Sequence, residues 1–267
     1  MARRTFRIVA ALLLAAAPTS LAAQRPPSAP TYFATVLTPV GALPPLAMPA
    51  QIGAPRFGAG LDLAYGYGKL SADHHLPVHA VGAEVELAPL AGIVSLSGSG
   101  AYLIPDCGVA VHCDPFPMFG ASAALRISRW TVTDPLTPGV VTLALHAEAG
   151  LGLPDGGRAE AAAAGPSIAF VGTHGTSGNL RVIAFVTPQA VWGRLRVSDP
   201  TKFDRQFGSP FGLGDATFEK DGVRFLIGGG LAIVNTRSGI GLHFGIQHVA
   251  VHGARPRVGA SVSWRSL

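Results

Sequence analysis

The residues able to do chemistry in this chain are polar side chains set singly into apolar, alternating segments: Asp62, Glu84, Glu86, Arg126, His146, Glu148, Arg224, His243, Gln247 and Arg265. Carboxylates and imidazoles of this kind exchange protons, and beside a serine they can activate a nucleophile. Their spacing specifies no catalytic triad. A tighter grouping is His248-Val-Ala-Val-His252, two histidines at the end of an alternating run. Another is Cys107 and Cys113, separated by Gly-Val-Ala-Val-His. In an exported chain the default for such a pair is a disulfide closing a small loop. A metal pair assisted by His112 is the alternative, with no further ligands clustered nearby in the sequence.

The polar residues share a phase because the segments carrying them alternate with period two. Leu61, Leu63, Tyr65 and Tyr67 oppose Asp62, Ala64, Gly66 and Gly68; Val81, Val85 and Leu87 oppose Gly82, Glu84 and Glu86; Leu125 and Ile127 oppose Ala124 and Arg126. The pattern returns where Leu143 and Leu145 oppose His146 and Glu148, where Phe225 and Ile227 oppose Arg224 and Gly228, and where Leu242 and Phe244 oppose His243 and Gly245. Successive strand residues point to opposite faces. One face of each segment is therefore apolar, and the other carries the candidate residues.

Composition bears on what the apolar face meets. The chain has 34 glycines, 22 prolines and 13% charged residues. A soluble secreted β-sandwich would put Lys, Glu and Asp on its wet face, whereas these segments oppose their apolar residues mainly with Gly, Ala and Ser. Past the N-terminus no apolar run reaches the roughly 20 residues that a membrane helix needs. Backbone exposed to lipid must pair internally, which leaves a closed barrel as the way for such a chain to span a membrane.

The N-terminus reads as a removable signal peptide over residues 1–23. Arg3, Arg4 and Arg7 form a basic region, Ile8 to Ala17 an apolar one, and Leu21-Ala22-Ala23 a small-residue cleavage site before Gln24. Cleavage removes three of the 20 basic residues and none of the 15 acidic ones, leaving 17 against 15, a formal +2. The basic balance is thus mostly a targeting feature, and no Lys/Arg cluster with interleaved aromatics remains to bind nucleic acid. Nothing in the chain implies a cofactor or a nucleotide.

These observations predict an all-β fold, an antiparallel transmembrane up-and-down barrel of ten strands, with eight to twelve possible, over residues 57–267. An even number brings both ends to the periplasmic side. The short connections are then Ala88–Gly92, Arg129–Gly139, His174–Asn179 and Thr236–Gly239, facing the periplasm. The outer loops are Ser71–Pro77, Ile104–Pro117, Leu153–Pro166 and Ser198–Gly222. The segment Leu180–Val197 loses phase near Pro188, where a bulge is expected because proline donates no ladder bond. Phe57, Tyr102, Phe119, Trp130 and Trp264 fall near strand ends, as interfacial aromatics do. Residues 24–56, with eight prolines between 26 and 55, read as a periplasmic extension; Thr31 to Leu37 could add a short strand, or the segment could insert into the lumen as a plug.

Near the C-terminus Arg257-x-Gly259-x-x-Val262-x-Trp264 resembles the assembly signal of bacterial outer-membrane β-barrels, although Arg265, Ser266 and Leu267 follow the tryptophan where that pattern ends on an aromatic. The resemblance implies a Gram-negative cell envelope, passage through the general secretory channel, recognition by the barrel-assembly machinery, and outer-membrane lipid as surroundings. The segment around His248 and His252 faintly resembles the His-x-Ser segment of outer-membrane lipid A deacylases. Ala250 stands at the nucleophile position, so the mechanism of that family cannot operate there. The inward polar set is read first as a structural core, next as a narrow porin-like path for small solutes, and last as a catalytic site. A surface ligand is left unspecified.

Overall fold

The computed structural model describes residues 29–46, 48, 58–70, 76–89, 92–108, 113–133, 138–174, 179–207, 217–251 and 254–265. The signal peptide, Phe57, His112, His252 and the last two residues lie outside them. Ten strands form one closed barrel: β1 (Ala59–Lys69), β2 (Pro77–Leu87), β3 (Val94–Pro105), β4 (Phe116–Val132), β5 (Gly139–Gly152), β6 (Gly157–His174), β7 (Leu180–Val197), β8 (Phe218–Asn235), β9 (Ile240–Val249) and β10 (Arg257–Arg265). Each pairs antiparallel with its sequence neighbours, and β1 pairs with β10 to close the ring. The number and arrangement match the reading of the sequence.

Both sheet ends, the start of β1 and the finish of β10, share one mouth with the connections at residues 88–93, 133–138, 175–179 and 236–239. We call this the turn end and the opposite mouth the loop end. Cys107 and Cys113, in the β3–β4 connection at the loop end, are disulfide-bonded, with Cα atoms 6.0 Å apart. The β7–β8 connection holds helix α3 (Pro200–Gln206); its Phe203 packs on Phe207, the residue that follows it, and Phe207 meets Phe116 edge-on, all three buried. Asp199 caps it by accepting a hydrogen bond from Lys202 N at 3.1 Å, and that bond holds its carboxyl below the ordinary value.

The alternation is realised as burial. On β1, Leu61, Leu63, Tyr65 and Tyr67 are exposed while Asp62, Ala64, Gly66 and Gly68 are buried. Carried round the ring by the pairing register, the outward face of the described strands holds charges only close to the loop end: Lys69, Arg158, Glu160, Arg194, Arg196, Glu219 and Asp221. Below that rim lie exposed apolar side chains such as Val81, Leu125, Leu145, Ile227, Leu231, Phe244 and Val262, together with Tyr102, Phe119, Trp130 and Trp264.

Three expectations are corrected. The connection expected at Leu153–Pro166 is a tight turn over residues 153–156, where Gly156 takes φ 69° and Gly157 N donates to Pro154 O, and β6 begins at Gly157. The alanine run belongs to the strand; with Ala on both faces it shows no contrast of polarity to read. No bulge occurs at Pro188. The β6–β7 register runs from Ala164↔Ala190 to Ile168↔Val186 unchanged, which sets Pro166 opposite Pro188. Two prolines lack ladder donors yet keep extended backbone, so bonds are skipped without an inserted residue. The irregularity is on β4, between Arg126 and Ser128.

The third correction concerns the N-terminal segment. Residues 29–46 are not a periplasmic extension, and Thr31 to Leu37 form no strand. Helices α1 (Ala29–Val36) and α2 (Pro39–Ala42) lie inside the barrel, α1 against β6, β7 and β8 and α2 chiefly against β5. Residues 32–44 are all buried. The reason is visible in the wall: at the loop end the inward face is apolar, with Val78, Leu103, Phe116, Met118, Val191 and Leu195 in one cluster with Tyr32, Phe33, Val36 and Leu37. Left in an aqueous lumen those side chains would face water; burying each against α1 contributes about 1.5–3 kcal/mol.

Candidate functional site

The lumen contains two layers, a plug seat near the loop end and a polar belt below it. The seat is shaped by inward glycines. A Cβ on Gly66 would run into the carbonyl of Ala42, one on Gly152 into that of Leu37, and one on Gly259 would come within 2.7 Å of Pro44 Cβ. Gly120 and Gly150 clear Pro39 in the same way, and Gly245 clears Pro44 and Pro45. Wall side chains then hold the plug by its backbone. Arg257 donates to Gly41 O at 2.9 Å and to Val36 O at 3.3 Å, Gln247 donates to Leu43 O at 2.8 Å, and the Tyr32 hydroxyl donates to Lys69 O at 3.2 Å. Arg257 and Gly259, read as parts of the assembly signal, thus have folded-state partners, while Val262 and Trp264 face outward.

The belt collects most of the candidate residues. Cross-strand pairing places Asp62 between Glu84 and Ser263, and Gly60 between Glu86 and Arg265. Arg265 Nε donates to Glu86 Oε2 at 3.0 Å, both side chains almost fully buried. Farther round, Ser97 and Ser122 share a hydrogen bond of 2.7 Å, Ser122 donates to Met48 Sδ at 3.3 Å, and Gln189 lies 3.1 Å from His146 Nδ1. Glu84, Glu148, Ser97 and Gln189 line one side of a cavity of about 50 Å³ whose other side is Pro39, Leu43, Pro44 and Met48 of the plug. At about 10–15 Å³ per enclosed water, that space holds only a few.

Arg126 and Arg224 stand apart from this belt. Arg126 sits beside the β4 bulge, opposite Ala144, toward the turn end, and Arg224 pairs with Val191 toward the loop end. His243 is the closest approach to catalytic geometry. Its Nε2 lies 2.8 Å from Ser263 Oγ and 4.0 Å from Asp62 Oδ1. A serine relay needs its hydroxyl and carboxylate on opposite ring nitrogens; here both are on one, and His243, Ser263 and Asp62 are each 1% exposed. The arrangement is a buried structural contact. His248 pairs with Ile227, whose side chain faces outward. Among the described residues no group of three or more His, Cys, Asp or Glu side chains could hold a metal ion.

The belt yields a contrast in stability. Arg265→Ala leaves Glu86 and Asp62 buried without their cation and is expected to cost about 3–5 kcal/mol. Joint replacement of Arg265 and Glu86 by Met and Leu should recover the part owed to Glu86, and adding Asp62→Asn should recover the rest. Glu219→Gln, which removes the exposed pairs with Arg194 and Arg196, should cost no more than about 1 kcal/mol. Urea unfolding in detergent micelles would rank the four.

Sequence reasoning missed the plug anchors Arg257 and Tyr32. The available signal was the run of inward glycines facing a segment of prolines, two small, rigid surfaces that fit each other.

No protein-family model matches the chain, and no curated protein is significantly similar in sequence. Among solved structures, similarity is found to the attachment invasion locus protein Ail of Yersinia pestis, at 9% identity and a TM-score of 0.26, over 79% of this chain and 99% of that one. The β-domain of the Bordetella autotransporter BrkA gives 13% and 0.28, over 79% and 100%. OpdK of Pseudomonas aeruginosa gives 13% and 0.19, over 80% and 99%. These neighbours are outer-membrane β-barrels, and at such values the likeness carries no argument about this chain.

Proposed function

We propose that this chain is an integral outer-membrane protein, exported by residues 1–23, whose barrel is held shut by residues 29–46 and serves a structural role in the envelope rather than that of an open pore. The loop end faces the cell exterior and the turn end the periplasm. One observation carries the reading: around ten strands the outward face is apolar and free of charge up to the loop-end rim. Water would not be met by such a surface in a soluble monomer, which rarely exposes an apolar patch beyond a few hundred Å². Lipid is the partner it fits. The segment Arg257 to Trp264 remains the proposed recognition element for the assembly machinery, and the polar belt is read as the structural core of the lumen, with Arg265 paired to Glu86 inside it.

The test is Leu231→Arg. Leu231, 56% exposed, lies on β8 about midway along its ladder with β9, opposite Phe244. In lipid the substitution should cost about 2–4 kcal/mol, lowering the yield of protein folded into phospholipid vesicles from urea. On a water-facing surface the change would stay within about 0.5 kcal/mol, and unaltered folding into vesicles would sink the proposal.

A further inference from the structure

We infer that the N-terminal segment threads the lumen from the periplasmic mouth to the outer one, so that the chain preceding α1 is delivered to the cell surface. The inference rests on the membrane orientation proposed above. Its evidence is the order of contacts along the segment. Gly58 lies at the turn end, where its carbonyl accepts from Ala88 N just beyond β2. Met48 lies midway, packed with Ala124 and bonded by Ser122, well inside β4. Pro45 and Pro44 reach Gly245 and Gly259, nearer the loop end. Leu37 meets Gly152, the last residue of β5, and Tyr32 bonds to Lys69, the last of β1. Each step toward the N-terminus is a step toward the loop end.

The wall agrees with that order. Near the loop end it offers the apolar cluster that takes in Tyr32, Phe33, Val36 and Leu37, whereas a second inward apolar cluster near the turn end, Val171, Ile183, Phe185 and Val234 with Ala169 and Ala232, includes no residue of the plug. The barrel therefore carries its own N-terminus across the membrane as an additional crossing, with α1 as the stop that fixes how far it emerges.

The experiment places one short epitope in the full chain at three positions in turn: between Gln24 and Arg25, between Asp155 and Gly156 in the loop-end turn, and between Arg237 and Ser238 in a turn-end connection. Intact cells are probed with antibody, and each tagged protein is checked for heat-dependent electrophoretic mobility. The threading predicts labelling at positions 24 and 155 in intact cells, and at 237 only after the outer membrane is permeabilised. Labelling at 155 without labelling at 24 would overturn the inference while leaving the barrel and its orientation intact. Labelling at 237 in place of 155 would overturn the orientation itself. As an independent readout that avoids an insertion, Ser28→Cys should react with a membrane-impermeant maleimide on intact cells; reaction only after permeabilisation would contradict the threading.

Discussion

Deleting residues 29–46 should turn a silent protein into a conducting one. In planar bilayers the mature full-length chain is expected to show no resolved current steps, and the deleted chain discrete ones. Eight strands enclose about the space their own side chains fill, and larger barrels leave room. Here ten strands lined by Gly66, Gly120, Gly150, Gly152, Gly245 and Gly259 accommodate a helix, an object about 10 Å across with its side chains. Removing it leaves a passage of that order above a belt rich in carboxylates, so the current should favour cations over anions. A synthetic peptide of residues 29–46, added back, should suppress the steps. Equal silence of both proteins would mean that the polar belt alone seals the lumen.

Arg257→Ala should release the plug while keeping the barrel. The side chain is buried and donates to Val36 O and Gly41 O across the β10–plug contact. Hydrogen bonds from a charged donor contribute about 1.5–3 kcal/mol each, so losing both should shift the plug by several kcal/mol toward an unbound state. Amide exchange over residues 32–43 should accelerate by at least two orders of magnitude with strand protection unchanged, and intermittent current steps should appear. Gly66→Val approaches the same result from the other side: the added side chain meets the Ala42 carbonyl without removing a charge. Agreement between the two assigns the effect to the plug, whereas loss of strand protection in Arg257→Ala would instead make this arginine part of barrel assembly.

What the sequence discloses here is set by contrast between faces. Strands such as β1, β2 and β9 show because Leu, Tyr, Val and Phe alternate with Asp, Glu, Gly and His, and the same contrast locates the belt residues Asp62, Glu84, Glu86 and His243 without any structure. The start of β6 is silent because Ala159, Ala161 and Ala163 inside meet Ala162 and Ala164 outside. The inward glycines were readable as small, but smallness has several uses, and only the packed Pro39, Pro44 and Pro45 show that it makes a seat. The plug itself has no period: eight prolines between 26 and 55 break any regular pattern, and its conformation comes from the wall around it. Likewise Arg257 belongs to a plausible assembly motif and to a plug clamp, and one sequence cannot separate the two.

A membrane-spanning barrel is tested by comparing the electrophoretic mobility of the mature protein from an outer-membrane fraction with and without boiling. The folded barrel should run as a compact, SDS-resistant band that shifts on heating. A single mobility in both samples, with the protein recovered in the soluble periplasmic fraction, would contradict it.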